Sequence, residues 1–230
     1  HLGDQRGREL HDRLNECLRG LSRTPLLLWL IKEAGLAGEE LPGNRGELFD
    51  LFVNRMLARD VKLETVVPPV VKKRSLAHLA FTLQQAYQLA CERERAAEIM
   101  ARVESKYDAK TILSEALIHG LLQGEQQVRF LHQSVQEYFV ALALCEVAQA
   151  ERKAPPLQRV SQRLLRRNLA AWARDDWWAE SFVQMAGLTE GPSWLAHELV
   201  QVKPWLAFWC SIEGKPVDDK TRAIVEADTI

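Results

Sequence analysis

His132 is the residue of this 230-residue chain whose position best suits chemistry. The alternation of Val128, Phe130 and the residues between them predicts a half-buried strand. Ser134, with Glu137 three residues later, predicts a capping box that opens a helix. His132 therefore precedes a predicted helix N-terminus, where unpaired backbone N–H groups and the helix dipole attract anions such as phosphate. A histidine hydrogen-bonded inside an interdomain joint is the alternative, and residue type alone favours it.

The segment that contains His132 also resembles a known family signature. Its sequence from Phe130 to Ala141 is Phe-Leu-His-Gln-Ser-x-Gln-Glu-Tyr-Phe-x-Ala. This is similar to a motif in the winged-helix part of NACHT-type STAND NTPases, signalling ATPases that include animal NOD-like receptors and many bacterial proteins. In that family the motif histidine contacts the β-phosphate of bound ADP and holds the closed, inactive arrangement. The resemblance implies this role for His132.

Pro25 is the second residue to which the resemblance assigns a contact. Thr24 can cap a helix, and proline suits the first helical position because it needs no hydrogen bond there. An ordinary buried helix ending near Gly35 and Gly38 explains this pattern without any ligand. However, Ser-Arg-Thr-Pro-Leu-Leu-Leu also resembles the "NPLLL" segment in the first helical domain of NACHT proteins, whose proline packs on the adenine ring. The resemblance implies that Pro25 is the adenine-side contact, with Thr24 in place of the commoner asparagine.

The sequence lacks the loops and clusters that enzymes of the commoner classes require. No glycine-rich loop ends in Gly-Lys-Ser/Thr, which an ATPase needs for its phosphates and magnesium. His197 and Glu198 begin a zinc-protease pattern, but Gln201 stands where the second histidine would be. We therefore assign no catalytic and no metal-binding residue and expect no activity from this chain by itself. The resemblance implies ADP or ATP with magnesium, bound mainly by an upstream domain of an ATP-hydrolysing parent.

A first helical domain is predicted for residues 1–66. Charged and apolar residues alternate at helical spacing over 6–19, and a second helix starts at Pro25. Asn44 and Glu47 form a plausible capping pair for a third helix. Its predicted apolar face consists of Leu48, Phe49, Phe52, Val53, Met56 and Leu57. Pro68 and Pro69 remove backbone donors, so we expect a helix-free boundary there.

Residues 72–150 are predicted to form a winged-helix domain. One helix follows Lys72, a second spans about Arg93 to Lys106, and a third runs from Ala109 to His119 after Asp108 as cap. Leu121–Leu122 and 128–131 then predict a short β-hairpin. Winged helices often bind DNA, but the third helix carries only Lys110 and His119 against Glu115, which is little charge for gripping phosphates.

The last region, residues 151–230, is predicted to be helical. It opens with six bases between Arg152 and Arg167 that are not interrupted by an acid; a solvated helix face is the default interpretation, and an acidic or nucleic-acid partner is the alternative. Helical segments follow from Asp176, around Trp194 to Val200, from Trp205 to Cys210 and from Lys220 to Ala227. These short antiparallel helices resemble the HEAT-like sensor region that follows the winged helix in bacterial NACHT proteins.

Composition adds few constraints. Thirty basic and 31 acidic residues give a formal charge of −1, which offers no global electrostatic reason to bind nucleic acid or an anionic membrane. The four cysteines form no C-x-x-C pair, and no signal peptide or long apolar run is present, so we expect a reduced, cytoplasmic protein.

The resulting hypothesis is a mainly α protein that forms the regulatory arm of a NACHT-type STAND ATPase. Expected partners are the upstream nucleotide-binding domain, further copies on activation and an unidentified ligand of the C-terminal helices, without membrane or nucleic acid. A role in innate immunity, such as antiphage defence in bacteria, would follow from the family. The alternatives are a winged-helix DNA-binding regulator and a helical protein-binding scaffold.

Overall fold

The computed structural model describes residues 25–36, 41–58, 65–103, 106–153 and 168–229. This part of the chain is mainly helical with one small antiparallel sheet, which confirms the predicted class at that level. The predicted helix over 6–19, the Thr24 cap, Gly38, Cys17 and the bases at 159–167 lie outside the described residues. No helix within those ranges is long and apolar enough to cross a membrane.

The described part of the chain consists mainly of α-helices, with one 3-10 turn and three short strands. The helices are α1 (Pro25–Leu36), α2 (Arg45–Leu57), α3 (Pro69–Gln85), α4 (Arg93–Ala101), α5 (Ala109–Ile118), α6 (Gln133–Lys153), α7 (Ala179–Leu188), α8 (Ser193–Val200), α9 (Pro204–Glu213) and α10 (Asp219–Thr229). Residues 168–174 are also helical, and Asp176–Trp178 form a 3-10 turn. The strands are β1 (Ala90–Glu92), β2 (Leu122–Gln123) and β3 (Gln127–Phe130).

Side-chain caps determine where several helices begin. Asn44 Oδ1 accepts a hydrogen bond from the amide of Glu47 (2.9 Å), and Glu47 Oε2 accepts one from the amide of Gly43 (2.8 Å). Asp108 accepts in the same way from the amide of Thr111. These caps satisfy N–H groups that have no partner inside the helix. The predicted apolar face of α2 is buried in full.

Helix α3 begins earlier than the sequence predicted, at the second of two consecutive prolines. The two prolines were expected to exclude helix, with the next helix following Lys72, but α3 begins at Pro69 itself. A proline at the first helical position loses no hydrogen bond, because the N–H there has no partner in the helix. The prolines therefore start a helix instead of preventing one.

The sheet has one strand that the sequence did not predict. Strands β2 and β3 form the predicted hairpin, but β1 pairs with the other side of β3, which gives the order β1, β3, β2. Helix α4 leaves β1 directly and ends at Ala101, before the predicted end at Lys106. Helix α5 is followed by Gly120, whose φ of +74° suits the residue after a helix C-cap.

Helix α7 contacts both earlier parts of the chain. It packs against α6 and also against α2, where Gly46 and Gly187 bring the two backbones together. A Cβ at Gly46 would lie 2.5 Å from the carbonyl oxygen of Gln184. The helices α7 to α10 occupy the predicted positions, except that a 3-10 turn capped by Asp175 replaces the first turn of the helix expected from Asp176.

Candidate functional site

His132 is the N-cap of helix α6. The helix begins at Gln133, and Nδ1 of His132 accepts a hydrogen bond from the amide of Ser134 at 3.1 Å. The predicted capping box opened by Ser134 is therefore wrong, because the imidazole takes the role of the cap. Glu137 accepts from the Gln133 side chain (2.9 Å).

This cap determines which ring nitrogen of His132 can act on a ligand. Because Nδ1 accepts, the ring N–H is on Nε2. The amides of Val135 and Gln136 are already bonded to the carbonyl oxygen of His132, at 3.0 and 3.2 Å. The amides of Ser134, Val135 and Gln136 are therefore engaged, and the Nε2–H of His132 is a side-chain donor that remains for an anion.

A cavity of about 240 Å³ lies beside His132. Its lining comes from the end of β3, the start of α6, β2 and the turn before β1. The lining residues are Leu89, Gln123, Arg129, Phe130, Leu131, His132, Gln133 and Gln136. They include one guanidinium, one imidazole and three side-chain amides but no carboxylate, so the lining favours an anion or a neutral polar group over a cation.

Gln136 lines this cavity and is held in place by hydrogen bonds on its buried side. Its side chain is buried, and Nε2 donates to the carbonyl oxygen of Gln88 (3.1 Å) and to Oε1 of Gln84 (3.4 Å). The side-chain amide of Gln84 in turn donates to the main-chain carbonyl oxygen of Trp177 (2.6 Å). The main-chain carbonyl oxygen of Gln84 accepts from the indole N–H of Trp177 (3.0 Å). Hydrogen bonds thus link the cavity to the region before α7.

Glu137, on the buried side of α6, is a titratable group beside this site. Burial raises the pKa of Glu137 to about 7, with Glu180 adding to the rise, while the Gln133 hydrogen bond and Arg45 oppose it. Arg45 is paired with Glu180 and with Glu213, the latter at 2.9 Å. These charged residues lie on α2, α6, α7 and α9.

Pro25 opens α1, as the sequence predicted, and its side chain is exposed. Helix α1 packs against α2, where Trp29 meets Phe52 edge to face with ring centroids 5.7 Å apart. Pro25 does not line the cavity beside His132. The two residues that the family resemblance selects are therefore not brought into one cavity by this chain alone.

Sequence reasoning missed a buried charged cluster between α3 and α5. Lys72 is 0% exposed; its Nζ lies 3.1 Å from Glu115 Oε2 and 2.9 Å from His119 Nε2. Glu115 also accepts from the amide of Val66 (2.8 Å). A helical amphipathic pattern would have revealed it, since Lys72 falls on the same stripe as the apolar residues of α3.

Comparison with protein-family models and with curated proteins gives no relative for this chain. No protein-family model matches it, and no curated protein matches it at a significant level. Among the described residues, no group of three or more His, Cys, Asp and Glu side chains could hold a metal ion. The hypothesis that His132 contacts a phosphate therefore depends on its motif, on its tautomer and on the cavity that it lines.

Proposed function

We propose that this chain is the regulatory and nucleotide-sensing arm of a NACHT-type STAND ATPase in the cytoplasm. The proposed domains are a helical domain over 1–66, a winged-helix domain over 72–150 and a HEAT-like sensor or linker over 151–230. Helices α3, α4 and α5 followed by the β2–β3 hairpin have the element order of a winged helix. The nucleotide and its magnesium would be bound mainly by an upstream domain of the same protein.

The observation that carries the proposal is the geometry of His132. The ring is fixed by its cap to Ser134, its donor nitrogen Nε2 has no partner among the described residues, and the adjoining cavity lacks carboxylates. A neutral imidazole held in this way can donate one hydrogen bond to a phosphate oxygen. The phosphate chemistry therefore fits the residues that are present.

In the proposed mechanism, the chain stabilises the inactive state because its contact with the β-phosphate is stronger in bound ADP than in bound ATP. His132 would donate to the β-phosphate, and Pro25 would lie against the base. A hydrogen bond to a charged group contributes roughly 1.5–3 kcal/mol, which suits a reversible switch. Exchange to ATP, in which the β-phosphate is no longer terminal, would weaken the contact with His132 and shift the population toward the open, oligomerising form.

The test compares two substitutions at His132 in the full-length gene product. His132→Asn retains a good helix N-cap but shortens the reach to a phosphate, whereas His132→Leu removes both the cap and the donor. Both should increase basal oligomerisation and lower the amount of ADP that co-purifies with the protein. Wild-type behaviour of His132→Asn together with a destabilised His132→Leu would show that His132 only caps the helix.

The DNA-binding alternative loses support from α5. Of the charged residues on that helix, Glu115 is buried with Lys72, and Lys110 is exposed. A single exposed base gives little purchase on phosphates.

A protein-binding scaffold is the second candidate, and one observation favours it. Trp205, Trp209 and Ile212 recur at helical spacing on α9 and are all more than 40% exposed. This face could receive the unidentified ligand of the C-terminal helices. If protein binding is the whole function, Trp209→Ala should abolish signalling by the full-length protein, whereas His132→Asn should leave its oligomerisation and signalling unchanged.

A further inference from the structure

Arg129 shares the cavity with His132. In β3, Val128 and Phe130 are buried, and alternation along the strand leaves Arg129 exposed. Its cross-strand partners are Ala90 on one side and Gln123 on the other. Because the side chain of Ala90 is only a methyl group, the sheet surface beside the guanidinium stays open.

Arg129 is the only lysine or arginine among the described residues that line the cavity. No carboxylate lines the cavity, and the guanidinium forms no hydrogen bond or ion pair within the described part of the chain. Neighbouring amides are already engaged: Gln123 Nε2 donates to the carbonyl oxygen of Leu131 (3.3 Å), and Gln133 Nε2 to Glu137. Among the side chains that line the cavity, Arg129 and the Nε2–H of His132 are therefore the donor groups with no hydrogen-bond partner in the described part of the chain.

The size of the cavity limits what these two donors can hold. Its volume of about 240 Å³ is below the roughly 300–1,000 Å³ of sites that enclose a drug-sized ligand. It suits the phosphate end of a larger molecule, with the rest held elsewhere. A guanidinium pairs with phosphate through two parallel N–H donors, so it adds direction as well as charge.

We propose that Arg129 is a second anion-binding residue of the His132 cavity and that the pair makes the cavity prefer a diphosphate group to a single phosphate. The proposal rests on the proposed phosphate role of His132. Two donors that line one cavity, one from the end of the strand and one from the helix cap, can engage two linked phosphate groups at once. A single phosphate would use one of them fully and gain less from the other.

The experiment titrates the 230-residue chain with inorganic pyrophosphate and, separately, with inorganic phosphate, and follows the imidazole resonances of His132 by NMR. The resonances are assigned by their loss in His132→Asn. Arg129→Gln should weaken pyrophosphate binding about tenfold, the factor expected when a hydrogen bond between charged groups is lost, and should remove the preference for pyrophosphate. Arg129→Lys should bind pyrophosphate with an affinity between those of the wild type and Arg129→Gln. Lys110 is exposed on α5 and does not line the cavity, so Lys110→Gln should bind like the wild type.

The outcomes separate this inference from the proposed function. Binding to His132→Asn, which lacks the imidazole, is followed by the phosphorus resonance of pyrophosphate. If Arg129→Gln binds pyrophosphate like Lys110→Gln while His132→Asn does not bind it, the role of Arg129 is overturned and that of His132 stands. If pyrophosphate leaves the His132 resonances of the wild type unchanged at millimolar concentration, the cavity is not a phosphate site and both are overturned.

Discussion

The hydroxyl of Tyr87 donates a hydrogen bond to Oδ2 of Asp175 at 2.5 Å, although Tyr87 holds a positive φ of +56°. That backbone conformation is strained for an aromatic residue, and surrounding contacts must hold it. The Tyr87 ring also stacks on Trp177, with centroids 6.1 Å apart. The turn that leads to Leu89 in the cavity wall is thus fastened to the residues that precede α7.

Replacing Asp175 by Asn should lower the pKa of Tyr87. The hydrogen bond to Asp175 and the charge of that carboxylate hold the pKa of Tyr87 above its usual 10.0, and the same bond lowers the pKa of Asp175 below 3.8. Ultraviolet titration of the phenol should show Tyr87 ionising at a lower pH in Asp175→Asn. Asp176→Asn is the control, because Asp176 pairs with Lys203; an equal shift in both variants would contradict the assignment.

The stabilising effect of this pair should be confined to a pH window. A raised folded-state pKa on Tyr87 means that its contribution is complete below pH 10 and is lost as the pH rises further. A lowered pKa on Asp175 means that its contribution is complete above pH 3.8 and is lost on further acidification. The stability difference between wild type and Tyr87→Phe should therefore vanish at both extremes in urea unfolding; a difference that is constant with pH would contradict this.

Replacing Lys72 by Met should destabilise the protein strongly. The change leaves Glu115 buried without its cation, and removal of one partner of a buried pair typically costs about 3–5 kcal/mol. Lys110→Met, exposed on α5, should change the free energy of unfolding by less than about 0.5 kcal/mol. Adding Glu115→Gln to Lys72→Met should recover part of the loss, because the amide oxygen can still accept from Val66. No recovery would mean that charge burial is not the cause.

Local signals made most of the helical framework predictable. Asn44 and Asp108 cap the helices that their sequence positions indicated, and the apolar stripe of α2 is buried as predicted. Strand β1 could not be predicted, because Ala90, Cys91 and Glu92 are too few to show alternation. It exists because β3 offers it an edge from far along the chain, and no local pattern encodes that pairing.

The sequence identified His132 as a site residue, but it did not predict how the side chains of the site are arranged. The motif selected His132, but the competition between His132 and Ser134 for the helix cap depends on where each side chain can reach, and the imidazole wins. Arg129 carried no signal beyond its type, since an exposed strand residue is ordinary until a cavity is found beside it. Lys72 looked like part of a basic triplet, because its partner Glu115 lies 43 positions away along the chain.

Replacing Gly187 by Ala should separate α7 from α2. A Cβ at Gly187 would collide with the side chain of Asn44 and would approach the amide of Gly46 to 3.0 Å. Overpacking of this kind costs about 1–3 kcal/mol, measurable as a lower urea midpoint. Gly43→Ala is the matched control, since its Cβ would meet only the end of the Glu47 side chain, at 3.3 Å. Equal losses in the two variants would contradict a backbone-to-backbone contact.

Replacing Glu137 by Gln should remove a pH dependence of stability between about pH 4.5 and 7. Burial, together with Glu180, raises the folded-state pKa of Glu137 from 4.5 to about 7, against the opposing Gln133, Ser134 and Arg45. A raised pKa means that the stability contribution is complete below pH 4.5 and is lost as the pH rises through 7. At about 1.4 kcal/mol per pKa unit, the wild type should lose about 3 kcal/mol over this interval relative to Glu137→Gln, whose amide oxygen can still accept from Gln133. Urea unfolding at pH 4.5, 6 and 8 measures this difference, with Glu98→Gln on the exposed face of α4 as control. Parallel curves for the wild type and Glu137→Gln would show that folding does not raise the pKa of Glu137.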